Sequence, residues 1–278
     1  MHSRCIADNH LPHRHNFARR RLRWLTGDLA TIKWLRSKGK PFDQFCVADA
    51  AGRGHLEAIK EMRRSKARGT DESSRARWSE EAVKKAAEGG HLEVLQWLRQ
   101  YGCPWSIWAC SSAARGGHFE VLKWARSQDP PGPWDRRTCS QAAGGGHLEI
   151  LKFARGQDPP CPWDELTCSQ AANHGHLEIL KFARGQDPPC PWNEDTCAWA
   201  ARGGHLDVLK FLRSQDPPCP WDEETCAWAA RGGHLEVLKF ARGQDPPCPW
   251  IRSDCRAAAL ESDHEHVIDW INQQEDEI

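Results

Sequence analysis

The sequence predicts an all-α solenoid of stacked helix-turn-helix repeats, about nine units with degenerate terminal caps. A histidine recurs at His55, His91, His118, His147, His176, His205 and His234, and the last five steps between them are 27, 29, 29, 29 and 29 residues. A fixed period of this size marks repeats that stack because none can bury its apolar face alone. The same two helical patterns flank each histidine. The composition agrees: 278 residues, 27% charged and of zero formal net charge, describe a polar chain that needs no single compact globule.

The unit reads most clearly from Trp221 to Phe240. Asp222 offers its carboxylate to the free amides that open a helix, and Glu223 and Glu224 fall in the first turn, where the helix dipole favours negative charge. The first helix runs through Ala229 and Ala230, small enough for close packing, and Gly232-Gly233 supplies the positive backbone angle that ends it. In the second helix Leu235, Val237, Leu238, Phe240 and Ala241 form the apolar stripe, which leaves Glu236, Lys239 and Arg242 for the solvated face. The connector from Gln244 to Trp250 holds three prolines, which remove amide donors and stop the helix.

These residues resemble the ankyrin repeat, whose core reads T-P-L-H-x-A-A-x-x-G-H and continues into an L-E-V-V-type second helix. The core falls on Glu224 to His234, and the match is closest from Ala229-Ala230 through Gly233-His234 to Leu238. Cys226 stands where the family has leucine and Ala227 where it has histidine, so that histidine's hydrogen bonds between repeats have no donor here. The period falls short of the family's usual length of about 33 residues. This implies a trimmed β-hairpin finger, as in the short-repeat arrays of algae, oomycetes and large DNA viruses. The resemblance covers nearly the whole chain and implies an ankyrin-type solenoid that binds protein partners.

Taken in order, residues 1–16 carry four histidines without periodicity and read as a flexible tail, and residues 17–272 as the repeat domain. Its first unit is atypical: Asp28 takes the histidine slot and Arg19-Arg20-Arg21 lie on the preceding helix, as suits a cap whose outer face meets water. A connector stretched over about residues 65–77 is read as a surface loop before the third unit, which opens at Trp78-Ser79. Units four to eight open at Trp105, Trp134, Trp163, Trp192 and Trp221. The ninth opens at Trp250, and its Glu261-Ser262-Asp263-His264 turn is one residue longer, as in a C-terminal cap. Residues 273–278 form a short acidic tail.

Several residue types suggest chemistry that the repeat itself argues against. Helices packed about 8 to 10 Å apart cannot bring one histidine per repeat onto one zinc ion, whose ligand nitrogens lie about 2 Å away. The histidines are therefore read as ordering the turn between helices. Cys161/Cys168, Cys190/Cys197, Cys219/Cys226 and Cys248/Cys255 recur with six residues between them, yet Val47 and Val83 fill the second position elsewhere, and Lys40, Ala76 and Gly132 the first. Free thiols used as small packing groups fit that substitution pattern. The Pro-Trp tryptophans, together with Trp97, Trp124 and the phenylalanines of their slot, read as packing residues. No phosphate-binding glycine loop, nucleophile elbow or paired-histidine zinc helix is found, so no enzyme activity and no cofactor are expected.

The slot of Trp199 and Trp228 differs, because Asp49, Lys85, Ser112, Gln141 and Gln170 fill it elsewhere. A position that accepts Asp and Lys is not deeply buried, and exposed Trp and Arg are common anchors for partners. The expected binding surface is the concave face formed by first helices and connector tips: Trp199, Trp228, Gln141, Gln170, Arg115, Arg202, Arg231, Asp222, Glu223 and Glu224. The role so implied is a monomeric, non-catalytic scaffold or adaptor for an unidentified protein partner. The N-terminus lacks the apolar core of a secretory signal and no run is apolar enough to span a membrane, which places the chain inside the cell, in cytoplasm or nucleus. Two rivals remain. Arg19 to Arg23 with Lys60, Arg63, Arg64, Lys66 and Arg68 form a basic region for nucleic acid, against which zero net charge argues, and the cysteines allow a thiol-based metal or redox role.

Overall fold

The computed structural model describes Gly27, residues 29–37, Phe42, residues 44–63 and residues 80–274. The tail at 1–16, the Arg19 to Arg23 cluster, Asp28, the stretched connector at 65–77, the Trp78-Ser79 opening and most of the acidic tail lie outside them. Among the described residues there are 17 helices and no strand. They are α1 (Leu29–Ser37), α2 (Gln44–Ala51), α3 (Leu56–Arg63), α4 (Glu80–Glu88), α5 (Leu92–Gln100), α6 (Ile107–Arg115), α7 (Phe119–Arg126), α8 (Arg136–Gly144) and α9 (Leu148–Arg155). Then follow α10 (Glu165–Asn173), α11 (Leu177–Arg184), α12 (Glu194–Arg202), α13 (Leu206–Arg213), α14 (Glu223–Arg231), α15 (Leu235–Arg242), α16 (Arg252–Glu261) and α17 (Glu265–Gln273). The chain divides into two compact units, Met1–Ala109 and Cys110–Ile278, with the division inside α6.

Each unit is a stack of helix pairs. In the second unit α8, α10, α12, α14 and α16 pack in succession, and each also packs on the helix that follows it. The alanine pairs make this approach possible: Ala142-Ala143, Ala171-Ala172, Ala200-Ala201 and Ala229-Ala230 are all fully buried. The second helices contribute the large side chains, with Leu151, Leu180, Leu209 and Leu238 at zero exposure. Leu235 and Phe240 are only half-buried, as are Trp97 and Trp124 in the Phe240 slot, so that slot borders the core rather than forming it.

Only the second glycine of each pair has a positive φ: Gly233 sits at 74° and Gly232 at −78°. The second glycine also makes room for the next repeat. A Cβ on Gly204 would lie 2.6 Å from the His234 ring, and one on Gly175 would lie 2.6 Å from His205. In the last pair Asp263 takes this conformation with φ 57°, which keeps His264 in register despite the added residue. The histidines act between repeats. Nε2 of His147 donates to the carbonyl of Arg115 at 3.0 Å, and His176, His205 and His234 reach the carbonyls of Gly144, Asn173 and Arg202 at 3.2, 3.2 and 3.0 Å. Each thereby satisfies a carbonyl left open at the C-terminus of the preceding first helix. The turn histidine thus supplies the link between repeats that an alanine at position 227 is unable to make.

Among the described residues the connectors contain no hairpin, and they are held by two backbone groups of one residue. The Cys190 amide donates to the Ala183 carbonyl at 3.0 Å, and the Cys190 carbonyl accepts from Arg184 Nη1 at 2.7 Å. Gly132 is held in the same way by Ala125 and Arg126, which explains why the thiol at this position is dispensable. The arginine then stacks on the Pro-Trp tryptophan, with Arg126 3.9 Å from the Trp134 centroid, Arg155 4.0 Å from Trp163 and Arg184 3.8 Å from Trp192. Arg242, expected on the solvated face, instead bonds the Cys248 carbonyl at 2.6 Å and stacks on Trp250 at 4.7 Å. Glu236 and Lys239 do lie on the solvated face, where they pair with each other at 2.9 Å.

Candidate interaction site

Two register positions on the first helices carry the side chains that vary between repeats. Six residues before the histidine stand Gln141, Gln170, Trp199 and Trp228, and three before it stand Arg115, Gly144, Asn173, Arg202 and Arg231. Residues three apart share a helix face, so Gln141 lies with Gly144, Trp199 with Arg202 and Trp228 with Arg231. Stacking of α8, α10, α12 and α14 lines these positions up across repeats.

At one end of this row are the tryptophans. Trp199 and Trp228 stack with centroids 6.4 Å apart and planes tilted by 14°, and each is half-buried. The Arg202 guanidinium lies 4.9 Å from the Trp199 centroid and 4.8 Å from that of Trp228, so it serves both rings. Arg231 lies 5.7 Å from Trp228 and pairs with Glu261 at 3.4 Å. Arg202 has no ion-pair partner among the described residues and is exposed. The slot is not deeply buried, and each ring covers part of the other. The remaining ring area, edged by two guanidinium groups, faces water.

At the other end is a cavity of about 280 Å³ lined by Arg115, Gln141, Gly144, Gly145 and Gln170. Three of the expected contact residues thus converge in one place. Gly144 opens it, since the slot holds Arg115, Asn173, Arg202 and Arg231 in the neighbouring repeats, although Gly52 fills it in an earlier one. Sequence reading passed over Gly144, although the absence of a side chain in that slot was visible in the register.

The acidic residues occupy the opposite end of the first helices. Glu223 and Glu224 are exposed in the first turn of α14, as are Glu194 and Asp195 in α12. Asp222 is different. It takes the extended N-cap conformation, yet its side chain makes no capping bond, and half-burial raises its carboxyl pKa above the ordinary value. Capping by this residue type is seen at Asp135, which accepts from the Arg137 amide at 3.0 Å. Leu166, 41% exposed in the slot of Asp195 and Glu224, puts an apolar side chain on this acidic edge.

The rival sites appear in other terms. The described cysteines are free thiols, and Cys161 meets Cys139 of its own repeat rather than Cys168, with the Cys139 Sγ 3.8 Å from the Cys161 carbonyl. The Cys139 contact and burial push the Cys161 thiol far above its usual range, and burial pushes Cys103, Cys110 and Cys255 up to about 12. Among the described residues no three His, Cys, Asp or Glu side chains converge as a metal site would require. His176 has its pKa lowered by burial, consistent with a neutral ring donating to Gly144. In the basic region, Lys60 pairs with Glu57 at 2.6 Å and Arg63 lies 3.4 Å from the Tyr101 centroid, while Arg64, Lys66 and Arg68 fall outside the described residues.

A family model described as ankyrin repeats (many copies) matches residues 83–126, and the helix pair found there recurs through α17. The chain carries ankyrin repeats. Such repeats are in general protein-interaction modules, typically without catalytic activity. No curated protein matches the chain significantly. No helix among the described residues of this ankyrin-repeat protein is long and apolar enough to cross a membrane.

Proposed function

We propose that the chain is a non-catalytic scaffold that holds a protein partner on the row of first helices from α8 to α14, with Arg115 at its edge. The observation that carries this reading is the Trp199-Trp228 stack with Arg202 spanning both rings. Large flat side chains with few rotatable bonds lose little entropy on binding and, with arginine, dominate interface energies. No packing need explains them, since Gln141 and Gln170 fill the same slot in repeats built on the same core. The acidic edge of Glu194, Asp195, Glu223 and Glu224 suits a partner whose apolar anchor is followed by basic residues.

The test is a pull-down from nuclease-treated lysate with the wild-type chain and a Trp199→Ala, Trp228→Ala double variant, read by mass spectrometry. A partner held by the wild type and lost from the variant is the expected result. A partner retained equally by both would remove the face from consideration, and capture that vanishes with nuclease in both would favour nucleic acid instead.

A further inference from the structure

The Arg115 cavity is built for one kind of group. Its lining supplies one guanidinium and two carboxamides, all on helices whose backbones are tied together: the Arg115 carbonyl accepts from His147 and the Gly144 carbonyl accepts from His176. Arg115 is exposed and has no ion-pair partner among the described residues. Its fork of donors is suited to a carboxylate. The Gln170 amide lies across the gap, with Oε1 3.0 Å from where a Cβ on Gly144 would stand.

The surroundings favour an anion. Helices α6 and α8 contain no acidic residue, whereas α10, α12 and α14 each open with one or two. Carboxylates on the turns and helices that flank the lining residues in this unit are paired or lie far along their helix. Asp164 pairs with Arg136 at 3.3 Å, Asp135 lies 3.7 Å from Arg137 and Glu149 pairs with Lys152 at 2.8 Å. Glu165 lies at the far end of α10 from Gln170 and Asn173, roughly 8 to 12 Å along the helix at about 1.5 Å per residue. His174 is exposed, spends its Nδ1 on the Gln170 carbonyl at 3.0 Å and brings no negative charge. A single guanidinium matches the charge of one carboxylate, and a doubly charged phosphate would be left half-neutralised.

We propose that this cavity receives the side-chain carboxylate of an aspartate or glutamate in the partner's docking segment. This rests on the scaffold reading above and adds a second, polar anchor point: Gln170 of α10 and Trp199 of α12 stand in the same slot of adjacent helices, so one extended segment reaches both.

A random peptide library displayed on phage by its C-terminal end, which leaves no free terminal carboxylate, tests this directly. Peptides selected on the wild-type chain are expected to share an Asp or Glu at a fixed distance from an apolar residue. Replacing that acid by Asn or Gln in the synthetic, C-terminally amidated peptide should weaken binding by at least about tenfold, the scale of a charge-assisted hydrogen bond. The Arg115→Gln variant should bind the parent peptide about that much more weakly and no longer distinguish it from the neutral peptide. Arg115 is exposed and its carbonyl, which the variant keeps, makes the link to His147, so the variant should fold, and its circular dichroism melt serves as the control. Selected peptides without a fixed acid, an acid swap that costs the same in wild type and Arg115→Gln, or a library that yields no binder would each overturn the proposal. If the Trp199→Ala, Trp228→Ala variant loses a peptide whose acid swap has no effect, the cavity assignment fails while the scaffold reading stands. If neither variant affects binding, both fail.

Discussion

Arg184 provides the most direct test of how neighbouring repeats are joined. Its Nη1 donates to the Cys190 carbonyl at 2.7 Å and its guanidinium stacks 3.8 Å from the Trp192 centroid, so one half-buried side chain holds both the connector and the opening of the next repeat. A hydrogen bond from a charged donor contributes about 1.5–3 kcal/mol, and a cation-π contact contributes about 0.5–2 kcal/mol depending on desolvation. Because the two share one group they do not add fully, and Arg184→Ala should cost roughly 2–4 kcal/mol. Arg184→Lys should recover little of this, because an ammonium lacks the planar fork needed to donate and stack at once. Urea denaturation followed by circular dichroism gives the total. Hydrogen exchange locates it, and protection should fall first across α11, the connector and α12, since stability in repeat arrays is a sum of unit and nearest-neighbour terms. A double-mutant cycle with Trp192→Leu should return a coupling above about 0.5 kcal/mol. A loss below about 0.5 kcal/mol for Arg184→Ala, or a lysine variant as stable as wild type, would refute the clamp and return the arginine to the solvated face, where the sequence placed its equivalent Arg242.

Two further outcomes follow from the same geometry. Gly102 and Gly204 share a positive φ of 74° and 73°, but a Cβ on Gly102 would meet nothing within 4 Å, while one on Gly204 would lie 2.6 Å from His234. Gly102→Ala should therefore cost only the backbone term of about 1–2 kcal/mol, and Gly204→Ala clearly more; equal losses in thermal or urea denaturation would contradict the packing role of the second glycine. The thiols of Cys103, Cys110 and Cys255 titrate near 12 when folded and near 9.0 when free, so the unfolded chain releases those protons first as pH rises. Their contribution is intact below about pH 9 and lost between there and 12, so stability should decline across that window. A thiol reagent such as Ellman's should find these three unreactive at pH 8 until denaturant is added, and rapid labelling of the native chain would overturn that assignment.

Most of the architecture was legible in the sequence because each repeat states its own rules. The 29-residue period, the Ala-Ala pair, the glycine turn and the proline connector are local signals, and repetition separated packing residues from others: Val83 in the Cys226 slot marks a buried apolar position, and Gln170 in the Trp199 slot marks a surface one. Tertiary structure decided which residues meet across repeats. His234 reaches back to Arg202, Cys161 meets Cys139 rather than Cys168, Arg242 turns from solvent onto Trp250, and Gly144 opens a cavity walled by Arg115 and Gln170. A helical pattern records which side of its own helix a residue occupies. Whether a long arginine finds water or the next repeat's tryptophan depends on the distance and angle between units, which are set jointly by packing along the whole stack and are written in no single repeat.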